Sequence, residues 1–484
     1  MKKLTTIIAA ASLILAAACT TTEPAARVVV SAPAEDAVTF SDDVIGVSYE
    51  SAMLVPHEGK YYFTDKNEAL IRLFNTIGIK SIRIGGNSTD NPTNPLPDIP
   101  DIDEFFGFVA KTQAKVIYSV RLKDGDPAYG AKVAGHIWKN YRDRLAYFAI
   151  GNEPSYYKDF EGQMRPHWGG IYEEMKKVAP GAPFVAPDDN PNPPLSDWML
   201  DNFGAPQGPV SLLTMHYYPG DCAYTNPFKV SDPSELIPFD PAVKIDMLLS
   251  DDMHPRYEKV YERMDSVFAR CPYRLSETNS IWYGGLKGAS DSYASTLWAL
   301  DYMWWWSSHK CTGFNFHTGD RVGGGNGTVV SRYALFVSEG DGFEIRPICY
   351  AIKAFSDMAK GRIAGVAMDG STAQLSAYAC EDGGKYTVTI INKEHSAEAQ
   401  PREIEVALDG LQAAGNAKVK FIEGPDVAAL GGVTLGGYKI DPDGEWEDAW
   451  KGSDPDGAPV KVRSNALRVK LAPATAAIIT VNVR

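Results

Sequence analysis

Positive charge is scarce in this 484-residue sequence. It has 47 Lys and Arg residues against 61 Asp and Glu residues, a net charge of −14, and no long basic run. Such a balance offers no surface that would grip a phosphate backbone, so we expect no nucleic-acid partner. The composition, 44% hydrophobic and 22% charged, excludes intrinsic disorder and is typical of a globular protein with a large core.

Cysteine is also scarce. Apart from Cys19 the chain has five cysteines, an odd number, and no C-x-x-C pair. This pattern predicts neither a zinc site nor a complete disulfide framework, although one disulfide remains possible. The five are Cys222, Cys271, Cys311, Cys349 and Cys380.

Long hydrophobic runs are absent after residue 18, so no later segment reaches the roughly 20 apolar residues that span a bilayer. Residues 1–18 begin with Lys2 and Lys3, continue with an apolar stretch and end in the three alanines Ala16–Ala18, which predicts a secretory signal peptide. Cys19 follows directly and resembles the lipidated cysteine of bacterial lipoproteins. We expect an exported, periplasmic or cell-surface protein held to a bacterial membrane only by an N-terminal lipid; ordinary secretion is the alternative.

From residue 44 onward, short apolar runs alternate with stretches long enough for a helix, which predicts repeated βα units. Eight such runs predict a (β/α)8 TIM barrel over residues 41–361. A doubly wound sheet is the competing fold, but no Gly-rich phosphate turn follows the first run, and we interpret Gly323–Gly327 as a loop. The predicted strands end at Tyr49, Gly85, Ser119, Glu153, Asp188, His216, Glu277 and Phe316.

The sequence on either side of the predicted barrel lacks the alternating βα pattern. Residues 19–40 form a predicted tether in which Val28–Val30 could add a strand to a second domain, and residues 362–484 predict a β-sandwich. Within the barrel, apolar residues at helical spacing predict a first helix capped by Asp65 and a last helix in residues 346–361. The Trp304–Trp306 run favours helix packing over a sugar-stacking surface.

Two of the predicted strand ends are glutamates, Glu153 on the fourth strand and Glu277 on the seventh. Active sites of TIM barrels lie at the carboxyl ends of the strands, so both side chains should point into one opening. A pair of carboxylates facing each other is what cleavage of a glycosidic bond requires. The alternative for either one, a surface charge or a helix cap, becomes weak when both occur together.

These residues resemble a known group of enzymes. Asn152–Pro154 and Glu277 are similar to the acid/base and nucleophile signatures of the retaining glycoside hydrolases of clan A. Within that clan the chain most resembles glycoside hydrolase family 79, the β-glucuronidase and heparanase group. This closer resemblance rests on Ser48–Ser51, Arg83–Asn87, His216–Tyr218 and Arg346–Pro347.

The resemblance implies roles for individual residues. Glu153 would be the general acid/base and Glu277 the nucleophile, Asn152 would hydrogen-bond the sugar 2-hydroxyl, and a tyrosine of the sixth strand would orient Glu277. Asn87 and His216 could instead be a turn residue and a core histidine. The other implied substrate-binding residues are Tyr217 and Tyr218 on the sixth strand, and Tyr283 and Tyr333 near the uronate carboxylate.

The sequence therefore predicts a retaining glycosidase that cleaves β-linked glucuronic acid from a glucuronide or oligosaccharide. The two-glutamate mechanism needs no metal and no cofactor. A neutral-sugar β-glycosidase of the same clan, or a surface lipoprotein that binds glycans without cleaving them, remains as an alternative. The negative charge favours small glucuronides over long sulfated polyanions.

Overall fold

The computed structural model describes residues 24–157, 162, 165–322 and 329–484. Its central feature is a closed barrel of eight parallel strands that follow one another in chain order. Each predicted run overlaps one of these strands, so the TIM-barrel prediction is confirmed. After β1 (Ala26–Ser31), which lies outside the barrel, the barrel strands are β2 (Ile45–Glu50), β3 (Ser81–Gly85), β4 (Lys115–Val120), β5 (Leu145–Ile150), β6 (Phe184–Asp189), β7 (Val210–Tyr217), β8 (Tyr273–Thr278) and β9 (Cys311–His317).

Helices connect and surround the barrel strands. Since the strands are covered on one side by helices and on the other by the barrel interior, they read as continuous apolar runs. The last barrel helix lies inside the predicted range 346–361. The helices are α1 (Glu68–Ile77), α2 (Asn87–Asp90), α3 (Ile99–Ala110), α4 (Pro127–Tyr141), α5 (Arg165–Val178), α6 (Pro193–Phe203), α7 (Pro241–Leu249), α8 (Met253–Phe268), α9 (Tyr293–Ser308) and α10 (Ile348–Met358).

Helix α1 has the predicted apolar face but not the predicted cap. Its apolar residues are buried against the barrel. The expected cap at Asp65 is wrong, because the helix begins at Glu68 and Asn67 occupies the capping position, where its side chain accepts a hydrogen bond from the Leu70 amide at 3.3 Å. Gly78 ends the helix in the left-handed conformation, with φ of 83°.

The chain after the barrel is almost entirely β-structure. Two short hairpins come first and are followed by the strands of two larger sheets. The hairpins pair β10 (Arg321–Val322) with β11 (Val329–Val330) and β12 (Phe336–Glu339) with β13 (Gly342–Ile345). The remaining strands are β14 (Arg362–Ile363), β15 (Gly365–Gly370), β16 (Leu375–Asp382), β17 (Lys385–Asn392), β18 (Arg402–Leu408), β19 (Ala417–Glu423), β20 (Thr434–Leu435), β21 (Tyr438–Ile440), β22 (Trp446–Asp448), β23 (Ala458–Val460), β24 (Ala466–Leu471) and β25 (Thr475–Asn482).

Two of these sheets pack face to face as a β-sandwich. A four-stranded sheet has the order β15-β1-β18-β24, and a nine-stranded sheet is built around β16, β17, β25 and β19. Val28 and Val30 of β1 are buried in the same apolar core as Val388 and Ile390 of β17. The N-terminal strand therefore completes a sheet whose other members come from the C-terminal part of the chain.

Helix α9 joins the barrel to the sandwich. Its residues Tyr293–Ser307 are all buried, including the Trp304–Trp306 run, so these tryptophans pack inside the protein. Trp304 stacks on Tyr378 of β16, with ring centroids 5.5 Å apart and nearly parallel planes. Lys393, just after β17, donates from Nζ to Asp301 Oδ2 at 3.0 Å. An aromatic contact and a buried ion pair thus hold the two units together.

Three sequence predictions concern the N-terminus, the glycine-rich loop and the cysteines. The predicted signal peptide, Cys19 and Gly323–Gly327 lie outside the described residues. The five cysteines after Cys19 are all buried and free, so no disulfide links them. Among the described helices, none combines the length and the hydropathy needed to cross a membrane.

Candidate active site

Glu153 and Glu277 meet at the carboxyl-terminal end of the barrel. Glu277 lies in β8, and Glu153 follows β5 in a left-handed backbone conformation with φ of 47°. One carboxylate oxygen of each glutamate and one ring nitrogen of His216 all lie within 4.8 Å of one another. The side chain of Glu153 is 19% exposed and that of Glu277 is 10% exposed. The two acids therefore lie next to each other at this end of the barrel.

Glu277 is held by strong donors on both oxygens. The Tyr218 hydroxyl donates to Oε1 at 2.8 Å, and Arg83 Nη1 donates to Oε2 at 2.7 Å. Burial alone would raise the pKa of this carboxyl, but His317, His216 and Arg83 outweigh burial and hold the pKa well below its usual range. Glu277 is therefore ionised and fixed in orientation, as a nucleophilic carboxylate must be.

Glu153 has a different environment, because its contacts leave one oxygen for proton exchange. His216 Nδ1 lies 3.0 Å from Oε1, and Asn190 Nδ2 donates to the same oxygen at 3.1 Å. The backbone amide of Glu153 donates to the Asp188 carbonyl at 2.8 Å. Among the described residues both side-chain donors use Oε1, so Oε2 is the oxygen placed to exchange a proton with a bound molecule.

Arg83 connects Glu277 to the rest of the site. It is fully buried in β3, and its guanidinium also donates from Nη2 to Asn152 Oδ1 at 2.6 Å and to Asp188 Oδ2 at 2.5 Å. Burial would lower the pKa of Arg83, but Asp188 and Glu277 raise it, so the guanidinium stays charged. Nη1 also donates to Ser48 Oγ at 3.0 Å, so the fork geometry lets one cation hold four partners at once.

Asp188 connects both glutamates through their neighbours. Its carboxylate contacts Arg83, accepts from Ser276 Oγ at 2.5 Å and lies 3.2 Å from His216 Nε2. Burial would raise the pKa of Asp188, but Arg83 and His216 hold it below its usual range. For His216, burial would lower the pKa, but Glu277 and Asp188 raise it to about 10. The imidazole is therefore protonated and donates from both nitrogens.

Two glycines after β3 make room for these charges. A Cβ at Gly85 would lie 2.3 Å from the Arg83 guanidinium. Gly86 has φ of 72°, and a Cβ there would lie 2.4 Å from Glu50 Oε2. Glu50 Oε1 in turn lies 3.6 Å from His317 Nε2, on the side of the site beyond Glu277. The Gly85–Gly86 pair thus lets the backbone pass close to two buried charged side chains.

Several of the predicted sugar-site residues surround the glutamates. Asn152 is buried, and its Nδ2 donates to Oδ1 of the exposed Asn87 at 3.3 Å. The Tyr333 ring lies 6.0 Å from that of Tyr218 and 6.1 Å from that of His317, so it borders the Glu277 side of the opening. Burial and Glu277 raise the pKa of Tyr333 well above its usual value, so its phenol is protonated.

Two predicted residues lie elsewhere. Tyr217 is the last residue of β7, and its ring packs against Tyr257 and Trp306 of the surrounding helices. Successive strand residues point to opposite faces, so Tyr217 points outward where His216 points inward. Tyr283 packs against Tyr224, with ring centroids 5.5 Å apart, and none of its described contacts reaches either glutamate. The expectation that both line the sugar site is wrong for Tyr217 and has no support in the contacts of Tyr283.

Sequence reasoning missed four members of the site, namely Arg83, Asp188, Asn190 and His317. Arg83 and Asp188 stand within predicted strands, where the sequence marks Arg83 as part of a family motif and Asp188 as a strand end, and does not indicate that they contact the glutamates. A charged residue inside an apolar strand is costly to bury without a partner, and this signal could have identified both.

The spacing of Glu153, His216 and Glu277 also matches that of ligands around a cation, since one potential ligand atom of each lies within 4.8 Å of the others. A ligating histidine must be neutral. His216 has a pKa raised to about 10, and Asp188 and Glu153 accept its two N–H groups. The Arg83 guanidinium already occupies Oε2 of Glu277. These donors fit hydrogen bonding and proton transfer, and they do not fit a metal ion.

No protein-family model and no curated protein matches this sequence. Solved structures are similar over nearly the whole chain. A 4-O-α-L-rhamnosyl-β-D-glucuronidase from Fusarium oxysporum 12S is 16% identical, with a TM-score of 0.69, over 94% of this chain and 100% of that one. These similarities show that the chain has the fold of such proteins, a (β/α)8 barrel with a β-sandwich.

Two further solved structures are similar in fold to this chain. A GH51 arabinofuranosidase from Xanthomonas axonopodis pv. citri is 15% identical, with a TM-score of 0.63, over 95% of this chain and 100% of that one. A monomeric β-xylosidase from Caulobacter crescentus CB15 is 13% identical, with a TM-score of 0.61, over 94% of this chain and 99% of that one. The fold is thus shared with glycosidases that are described as acting on different sugars.

Proposed function

We propose that this protein is a retaining glycosidase. The observation that carries the proposal is that carboxylate oxygens of Glu153 and Glu277 lie within 4.8 Å of each other. Retaining glycosidases hold their two carboxyl groups about 5 to 5.5 Å apart, whereas inverting enzymes need about 6.5 to 9.5 Å to admit a water molecule. The shorter separation favours direct attack by one of the carboxylates.

The environments of the two acids support a different role for each. Glu277, ionised and held by Tyr218 and Arg83, attacks the anomeric carbon. Glu153 donates a proton from Oε2 to the glycosidic oxygen as the bond to the leaving group breaks. Glu153 then takes a proton from water, which attacks the anomeric carbon of the glycosyl-enzyme and releases Glu277.

The remaining residues position the acids and the sugar. The amide oxygen of Asn152 accepts from Arg83, and one N–H of its NH2 group donates to Asn87, which leaves the second N–H to donate to a sugar hydroxyl. Asp188 keeps His216 protonated and directed at Glu153 Oε1. These contacts fix the geometry before substrate binds, so little reorganisation is needed during reaction.

The substrate we propose is a β-linked glucuronic acid residue. The residue pattern shared with family 79 supports this choice, and so does the similarity in fold to a rhamnosyl-glucuronidase. The protonated phenol of Tyr333 beside Glu277 offers a neutral donor for the uronate carboxylate. Its position accords with uronate binding.

A panel of aryl glycosides tests the proposal. We expect hydrolysis of the β-glucuronide in preference to the glucoside, xyloside and arabinoside, and a first-formed sugar product of β configuration by NMR. Glu277→Gln should abolish turnover while the protein remains folded. Preference for a neutral sugar would refute the uronide assignment alone. A product of α configuration, or a parent protein without activity, would refute the mechanism.

For the N-terminus we propose export and lipid anchoring through Cys19. The support is the sequence of residues 1–19, a basic start, an apolar stretch and small residues before a cysteine. Fatty-acid labelling of cells that express the full chain tests it. The parent should carry label in the membrane fraction, and Cys19→Ala should lose the label. An exported but unlabelled parent would indicate ordinary secretion.

A further inference from the structure

Tyr156 presents an exposed aromatic ring beside the proposed acid/base. It lies at the end of a 3-10 turn, Pro154–Tyr156, that begins directly after Glu153. The residue is 70% exposed, so most of its ring faces solvent. An aromatic side chain left in water next to a catalytic carboxylate is available to contact whatever group that carboxylate protonates.

Buried groups of β6 fix the turn that carries this ring. Asp189, which is fully buried, accepts from the Ser155 amide at 2.8 Å and from the Ser155 hydroxyl at 2.7 Å. The Tyr156 amide donates to the Glu153 carbonyl at 3.1 Å. The backbone under the ring is therefore anchored, and a preorganised contact surface loses little entropy when it binds.

A single amide joins the ring to the acid. Asn190 Nδ2 donates to Glu153 Oε1 at 3.1 Å and to the Tyr156 hydroxyl at 3.3 Å. The Tyr156 hydroxyl and the Glu153 carboxylate are thus bridged by one shared donor, the side-chain amide of Asn190. The ring offers an apolar face, while the hydroxyl and Asn190 offer a polar edge.

We propose that Tyr156 and Asn190 form the binding site for the leaving group, and that this group is a sugar residue. A sugar ring has C–H groups on its face and hydroxyls on its edge, which match an aromatic face bordered by a phenol and an amide. A purely aromatic or alkyl leaving group would leave the polar edge without a partner. The site rests on the proposed function, since it needs Glu153 to act on the leaving-group oxygen.

Two substrates with one glycone separate this site from the catalytic groups. The first is a β-glucuronosyl disaccharide, and the second is β-glucuronosyl fluoride, whose leaving group is a single atom. For Tyr156→Ala we expect kcat/KM to fall about tenfold on the disaccharide, which corresponds to about 1.4 kcal/mol, and to change less than about twofold on the fluoride. Tyr156→Phe keeps the ring and removes the hydroxyl, so kcat/KM on the disaccharide should fall less than in Tyr156→Ala, and the rate on the fluoride should stay unchanged.

Trp450→Ala provides a matched control, because Trp450 is a comparably exposed aromatic residue after β22 in the sandwich, 60% exposed. It should change neither rate. Equal losses on the disaccharide and the fluoride would overturn the proposal and indicate that Tyr156 acts on Glu153. No loss on either would also overturn it. A loss on an aryl glucuronide as large as that on the disaccharide would refute the choice of a sugar.

A binding measurement separates this inference from the proposed function. Calorimetric titration of the disaccharide into Glu277→Gln, and into the same variant with Tyr156→Ala, requires no turnover. Weaker binding by the double variant would support the site even if the parent cleaved no glycoside, an outcome that would refute only the proposed function. Equal affinities would overturn the site.

Discussion

Asp188 and His216 are a buried pair in which the carboxylate Oδ1 lies 3.2 Å from the ring Nε2. The other ring nitrogen, Nδ1, lies 3.0 Å from Glu153 Oε1. Neither Asp188 nor His216 is exposed to solvent, and each contributes to the charge of the other, together with Arg83 for Asp188 and Glu277 for His216. Through this pair, the proposed acid/base is held by a cation that is itself held by a buried anion.

The first prediction concerns the pH dependence of stability. The folded protein raises the pKa of His216 from 6.5 to about 10, so the unfolded state releases this proton at lower pH than the folded state does. The contribution of protonated His216 to the unfolding free energy is complete below pH 6.5. It is lost as the pH rises towards 10, at about 1.4 kcal/mol per pH unit. We expect this decline in the unfolding free energy of the parent, measured by denaturant titration.

Two variants control that measurement. His216→Gln has no proton to lose, so its unfolding free energy should fall less steeply between pH 6.5 and 10. Asp188→Asn should shift the decline to lower pH, because Glu277 would remain but Asp188, the second anion that raises the His216 pKa, would be gone. Parallel curves for the parent and His216→Gln would show that His216 does not titrate in this window.

Azide distinguishes the roles of the two glutamates. In Glu277→Gly, azide can enter the space left by the nucleophile and attack an activated β-glycoside directly, which gives an α-glycosyl azide. In Glu153→Gly, the glycosyl-enzyme still forms, and azide attacks it from the face that water would use, which gives a β-glycosyl azide. Without azide, Glu153→Gly should be about 10²- to 10⁴-fold slower. The same azide anomer from both variants would contradict the assignment.

The barrel strands could be predicted because a strand buried on both faces leaves a continuous apolar run. Glu153 and Glu277 could also be predicted as site residues, since each interrupts such a run at its carboxyl end. The capping residue of α1 could not be predicted, because Asp65 and Asn67 are both good caps and the choice depends on where the chain leaves the preceding loop. Local sequence thus predicted elements better than their boundaries.

The hydrogen bonds and ion pairs of the site join strands from different sides of the barrel, and the sequence alone does not predict them. Arg83 in β3 contacts Asp188 in β6 and Glu277 in β8, and closure of the barrel alone brings these strands together. The pair Tyr217 and Tyr218 shows a second limit. β7 continues one residue past its predicted end at His216, which places Tyr217 in the strand, facing outward. A one-residue change in a strand boundary thus decides which tyrosine reaches Glu277.

Replacement of Arg83 by lysine tests the fork geometry. An ammonium group keeps the charge but cannot contact Glu277, Asn152 and Asp188 together in one plane. Because small displacements of a reacting group are costly, we expect Arg83→Lys to lower kcat about 10²-fold with little change in KM. The half-exposed Arg256, which pairs with Asp221 at 3.1 Å, provides the control variant Arg256→Lys. Full activity in Arg83→Lys would show that charge alone suffices.

The last prediction concerns the contact between barrel and sandwich. Lys393 is 1% exposed and donates to Asp301, which is 5% exposed, at 3.0 Å. Tyr378 also donates to Asp301, at 2.7 Å. Lys393→Met would leave Asp301 buried without its main cation, so we expect the unfolding free energy to fall by about 3 to 5 kcal/mol.

Lys418→Met is the matched comparison. Lys418 also lies in the sandwich and pairs with aspartates, at 3.1 Å from Asp456, but its side chain is 42% exposed. Solvent screens such a pair, so its loss should lower the unfolding free energy far less than the loss of Lys393 does. Chemical denaturation followed by tryptophan fluorescence measures both, because Trp304 stacks on Tyr378 at this junction. If the two variants lose equal stability, the Lys393–Asp301 pair does not hold the sandwich to the barrel.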